Sequence, residues 1–133
     1  MIQNKVVARY QDGRVLKGYT GDFLPNKEVF HLTLKDDRES RPIEVHVAEL
    51  KAVFFVKDFV GNAKYNDVKE YHPTKPVIGR KIRVVFKDGE ILLGTTQGYQ
   101  PSRTGFFVFP ADPQSNNERC FVVSAATREV LLT

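Results

Sequence analysis

Two histidines and a glutamate, His31, His46 and Glu44, come closest in this chain to a set of residues that could do metal chemistry. If Phe30, Leu32 and Leu34 point inward along a strand, His31 and Thr33 point outward, and Glu44 and His46 do the same on the next strand. A hairpin centred in the 36–41 loop sets His31 opposite His46 and Thr33 opposite Glu44. Two imidazoles and a carboxylate on one face are donors that suit zinc. No cysteine or second carboxylate completes the set, and His72 stands apart beside Pro73. His31 and His46 are thus candidate ligands only, and the expectation is no metal and no cofactor.

Catalytic constellations are missing. There is no glycine-rich phosphate loop, no Gly-x-Ser-x-Gly turn and no His-Glu-x-x-His helix, and Ser40 lies in a loop without a base. The single cysteine, Cys120, excludes an intrachain disulfide and sits beside Phe121 and Val122 as a small hydrophobe would. The expectation is that the chain is not an enzyme.

Charge leaves one binding class open. Twenty Lys and Arg against sixteen Asp and Glu give a net charge of +4, which permits an anionic partner without requiring one. Lys17, Lys27, Lys51 and Lys57, and later Arg80, Lys81, Arg83, Arg103 and Arg128, fall mainly at loops and strand ends. Interleaved with Tyr19, Phe23 and Tyr99, they are candidates to track a nucleic-acid backbone and stack its bases. The opposing reading is an ordinary solvated surface, since acidic residues share the same loops. No apolar run approaches the roughly 20 residues of a membrane span, and nothing at the N-terminus resembles a signal peptide. A soluble cytoplasmic protein is expected.

The elements that carry these residues occur twice. Lys5, Asp12-Gly13, Leu16, Gly18, Thr20, Pro25 and Phe30 reappear 76 positions later as Lys81, Asp88-Gly89, Leu92, Gly94, Thr96, Pro101 and Phe106. Val45, Ala48, Lys51 and Val53 reappear 77 positions later as Val122, Ala125, Arg128 and Val130. Each copy reads as strands. Val6, Ala8 and Tyr10 alternate, Asp12-Gly13 turns the chain, and Val15–Tyr19 returns. Val29–Leu34, Ile43–Val47, a short turn at Ala48–Lys51 and the apolar Ala52–Val56 follow. Five short strands per copy without helical periodicity point to an all-β chain of small antiparallel barrels. Residues 1–57 form the first copy, 58–78 a connector with aromatics Phe59, Tyr65 and Tyr71, and 79–133 the second copy. Asp112-Pro113 and Ser115-Asn116-Asn117 read as structural turn residues.

The strand, Asp-Gly hairpin, glycine in the second strand and aromatic five residues on resemble the Sm-like fold, a bent five-stranded barrel related to SH3 domains. Gly18 with Phe23, and Gly94 with Tyr99, carry that likeness, as do the turns at Ala48–Lys51 and Ala125–Arg128 before each last strand. The resemblance implies two tandem five-stranded antiparallel Sm-like barrels. It also implies RNA binding, but Leu24 and Gln100 stand where the family's loop has aspartate. For the loop's asparagine, Asn26 lies two residues early and its counterpart is Ser102, and the Arg-Gly pair of the second RNA motif is represented only by Lys51-Ala52 and Arg128-Glu129. Such modules often assemble by pairing the fourth strand of one with the fifth of the next, and a tandem pair can satisfy those edges internally or present them to neighbours. As a whole the chain also resembles a family of uncharacterised bacterial proteins, through segments 51–58 and 105–119.

The copies differ on one outer face. Where the first has His31, Thr33, Glu44 and His46, the second has Phe107, Phe109, Phe121 and Val123. An exposed patch of that kind marks an interface. The expectation is that Phe107, Phe109, Phe121 and Val123 are covered by the other copy, the connector or a second chain. The chain is then a noncatalytic interaction or regulatory module, with a protein partner or self-association. The competing reading is RNA or single-stranded nucleic-acid binding through Lys17, Phe23, Lys27, Lys51, Tyr99, Arg103 and Arg128.

Overall fold

The Asp-Gly pairs close the first hairpin of each copy in the same way. Gly13 and Gly89 take φ values of 97° and 94°, a left-handed conformation open to glycine without steric cost. Asp12 and Asp88 each accept a hydrogen bond at 3.0 Å from a backbone N–H two residues on, that of Arg14 and of Glu90. The computed structural model describes residues 3–59, 79–100, 102–111 and 116–133. In it β1 (Asn4–Tyr10) returns as β2 (Val15–Thr20), and β6 (Arg80–Phe86) returns as β7 (Ile91–Thr96).

The first copy continues with β3 (Val29–Leu34), β4 (Ile43–His46), a 3-10 turn at Val47–Glu49 and β5 (Leu50–Val56). The second continues with β8 (Gly105–Pro110), β9 (Asn117–Val123), a 3-10 turn at Ser124–Ala126 and β10 (Thr127–Leu132). Among the described residues the chain is therefore all-β with the expected five strands per copy, and the strands of the two copies correspond one to one. Of the connector placed at 58–78, only Asp58 and Phe59 fall within the described residues. Tyr65, Tyr71 and His72 lie outside them, as do Asp112, Pro113 and Ser115.

Two separate closed barrels are not what the strands build. All ten lie in one open antiparallel sheet, ordered β10-β6-β7-β8-β9-β5-β1-β2-β3-β4. The reason is the choice of partner for β5. It pairs with β1 on one side, as a fifth strand closing its own copy does, but on the other side it takes β9, the fourth strand of the second copy. Ala52 lies opposite Val122, Val53 opposite Phe121, and Phe54 opposite Cys120. That pairing welds the copies.

Side-chain parity along this seam explains its composition. Ala52, Phe54 and Val56 of β5 join Cys120 and Val122 of β9 in the second copy's core, with Ile82, Val84, Phe86 and Phe106. Val53 and Phe55 join Phe121 and Val123 in the first copy's core, with Val6, Phe30, Leu32 and Val45. Ala52–Val56 and Cys120–Val123 are buried on both faces, so these stretches run apolar without alternation. At roughly 1.5–3 kcal/mol for each large apolar side chain taken from water, this shared layer is a major part of the stabilisation.

Candidate functional site

The outer face of the second copy is built into the seam. Phe121 is 1% exposed and Val123 is buried, while Phe107 is half-buried against the same cluster. Phe23 of the first copy closes the arrangement, its ring edge-on to Phe30, Phe55, Phe107 and Phe121 at centroid distances of 5.2, 5.5, 6.2 and 5.1 Å. Arg119 lays its guanidinium over Phe55 at 4.3 Å and Phe107 at 5.6 Å. Phe109 is the exception to the expected cover. It lies beyond the last β8–β9 pair, Val108 with Cys120, and opposite Thr95 of β7, and it remains 39% exposed.

The histidine face has a different register from the expected one. His31 pairs with Glu44 and Val29 with His46, two residues away from the pairing a symmetric hairpin would give. The second copy shows the same register, with Phe107 opposite Phe121 and Gly105 opposite Val123. Each histidine has its own carboxylate: His31 Nδ1 lies 2.7 Å from Asp22 Oδ2, and His46 Nε2 lies 2.9 Å from Glu44 Oε1. Partial burial would raise the Asp22 carboxyl. The bonds from His31 N–H, the His31 ring and Thr20 Oγ1 outweigh it and hold that carboxyl below its usual range. Among the described residues, no group of three or more His, Cys, Asp or Glu side chains is placed to hold a metal ion.

The basic and aromatic candidates are dispersed. Lys17 Nζ donates to the Phe59 carbonyl at 3.1 Å, and Phe59 in turn stands edge-on to Tyr19 at 5.3 Å. Tyr99 packs edge-on against Phe106 at 4.7 Å. Arg103 Nε donates to Gln100 Oε1 at 2.7 Å, Lys27 is exposed on the loop before β3, and Arg128 is exposed at the start of β10. Phe23 and Tyr99 therefore spend their rings on packing. Asn116 ties down the start of the connector, accepting from Asp58 N–H at 3.0 Å and donating to the Asp58 carbonyl at 2.8 Å.

Lys51 is a second fastening between the copies. Its ammonium donates to Asp88 Oδ2 at 2.7 Å and to Glu90 Oε1, and lies 4.7 Å from the centre of the Phe86 ring. The Lys51 side chain is only 13% exposed, whereas both carboxylates face water. Burial alone would lower the Lys51 ammonium, but the bonds to Asp88 and Glu90 outweigh it and raise it. The Lys51 bond, followed by the Glu90 N–H bond, holds the Asp88 carboxyl below its ordinary value. A carboxyl lowered on folding stabilises above its unfolded pKa, and that contribution fades as pH falls through the folded value. Lys51→Met is accordingly expected to cost about 1 kcal/mol at neutral pH and much less near pH 2, read from urea midpoints at the two pH values. Equal losses at both would show that the ion pair carries none of the effect.

Burial pushes the Cys120 thiol far above its usual range, which leaves it no nucleophilic role. Of the two uses a tandem pair has for its fourth- and fifth-strand edges, pairing inside the chain or presentation to neighbours, the β5–β9 seam is the first. Its signal is the unbroken apolar run Ala52–Val56 facing a second run, Cys120–Val123, where a half-buried strand would alternate.

The strand order and the doubly buried seam define an all-β protein of two fused copies whose contact layer lies within the chain. The chain belongs to a family of unknown function, DUF6982, whose model matches residues 2–133. No curated protein and no solved structure matches it. No helix among the described residues is long and apolar enough to cross a membrane.

Proposed function

We propose that the chain is a noncatalytic interaction module that makes its outward contacts through strand edges at the two ends of its sheet. In this reading each copy is a bent, Sm-like unit. The matched strands, the 3-10 turn before each last strand and the Gly18–Phe23 and Gly94–Tyr99 spacings support it. The apolar outer face of the second copy then serves contact inside the chain, with Phe121 and Val123 seated in the first copy.

The observation that carries the reading is the sheet order. Among the described strands it ends in β10 on one side and β4 on the other, and exposed strand edges are ready templates for pairing. The competing nucleic-acid reading draws less support, because Lys17, Lys51, Phe23 and Tyr99 are engaged within the fold. A labelled random single-stranded RNA titrated at low salt decides between them. No binding is expected. An affinity that falls steeply as salt rises would replace the interaction module with a nucleic-acid binder.

A further inference from the structure

At one end of the seam the start of β1, the end of β5 and the start of β9 meet around a cavity of about 250 Å3. Lys5, Lys57 and Arg119 line it, with Glu118 as the one carboxylate of the lining and Gln3 and Asn4 as neutral polar groups. We propose that this cavity is a binding site for a small phosphate monoester, anchored by the Arg119 guanidinium. The site goes beyond the strand-edge reading above and does not depend on it.

Arg119 is placed for such a ligand by the backbone and by its neighbours. The ladder is irregular beside it: Phe55 lies opposite Arg119 but Val56 lies opposite Asn117, so Glu118 is the extra residue of a bulge in β9. Successive residues of a regular strand point to opposite faces, and a bulge re-aims one of them. Here it lets Glu118 and Arg119 line the same cavity. The rings of Phe55 and Phe107, 4.3 and 5.6 Å away, then fix the guanidinium. Stacking of this kind orients the arginine fork and uses none of its N–H donors. Arg119 Nε is buried and has no hydrogen-bond partner among the described residues, and a buried donor left unmet is costly. An oxyanion supplies the acceptor that the fold does not.

Charge selects among oxyanions. Three cations less one carboxylate leave the lining with an excess of two positive charges. A phosphate monoester carries about −1.5 to −2 at neutral pH and offers three acceptor oxygens to a planar fork, whereas a carboxylate or a phosphodiester brings a single charge. The cavity is smaller than the roughly 300–1,000 Å3 of sites for drug-sized ligands, so the ligand is a small one. The site occurs in one copy only. Pro42 stands 77 positions before Arg119, so the first copy has no guanidinium at the matching position.

Titration of the full chain with methyl phosphate, followed by NMR through the arginine Nε–H signals and by calorimetry, tests the site. The Arg119 Nε–H signal, identified by its loss in Arg119→Lys, is expected to shift saturably with a Kd of about 1 mM. Dimethyl phosphate, a diester, and acetate are expected to bind at least about fivefold more weakly. Arg119→Lys keeps the charge but loses the fork, and is expected to weaken methyl phosphate binding about tenfold by calorimetry. Lys57→Gln, at an exposed position outside the aromatic layer, leaves the fold intact and is expected to weaken it about threefold. An Arg119 signal unmoved at about 50 mM methyl phosphate, or an affinity indifferent to both substitutions, would overturn the proposal. So would acetate binding as tightly as methyl phosphate, and equal binding of dimethyl phosphate would replace the small monoester with a phosphodiester backbone.

Discussion

Phe121→Ala is expected to lower the melting temperature of the whole chain by roughly 10–20 °C, the equivalent of about 3–5 kcal/mol for a truncated core phenylalanine. Phe121 is on a strand of the second copy, yet its ring lies in the first copy's core, 5.1 Å from Phe23 and 5.2 Å from Phe107. Its removal therefore opens a cavity in one copy by changing the other. Phe109→Ala, two strand positions from Phe107 on the same face but 39% exposed, is expected to cost less than about 1 kcal/mol. Thermal melts of the two variants separate the seam from general surface hydrophobicity. Equal shifts would mean that Phe121 is not seated as described.

Gly94→Val is expected to be comparably damaging for a different reason. A Cβ on Gly94 would run into the Phe109 carbonyl oxygen and approach Val108 Cγ1 at 2.8 Å. Gly18 repeats the geometry, meeting the Thr33 carbonyl oxygen and Leu32 Cδ2 at 2.7 Å. The obstacle is paired backbone, with Gly94 opposite Pro110 and Gly18 opposite Leu34, so little can give way. A loss of about 3 kcal/mol is expected at either glycine, seen as a lower urea midpoint with an unchanged slope. Because the copies are structural equivalents, the two losses should agree within about 1 kcal/mol. Near-wild-type midpoints would show that the second strand does not crowd the third.

Much of this fold was legible in the chain because its strongest signals are local. The Asp-Gly turns, the alternation of Val6, Ala8 and Tyr10, and the polar 36–41 loop place the strands to within a few residues of their observed ends. The polarity difference between His31, Glu44 and Phe107, Phe121 is equally plain, and in the second copy that face packs on the first. What local signals could not supply was strand partnership. β5 reads as the closing strand of its own copy, and nothing within Ala52–Val56 names Cys120–Val123 as its neighbour, so one open sheet replaced two barrels. The β3–β4 register slipped by two because the connecting loop is not symmetric about its centre. A shift of two preserves the face, which is why His31 and Glu44 still point the same way. Phe23 and Tyr99 illustrate the reverse limit. Their spacing from Gly18 and Gly94 is plain in sequence, but an aromatic that could stack on a base and one that packs on Phe30 or Phe106 look alike there.

Scanning calorimetry of the unsubstituted chain tests the shared seam most directly. A core layer built from both copies predicts one cooperative transition, with the calorimetric enthalpy equal to the van't Hoff enthalpy. Two resolvable transitions, each carrying about half the total enthalpy, would show that the copies fold as independent units, and would contradict the seam.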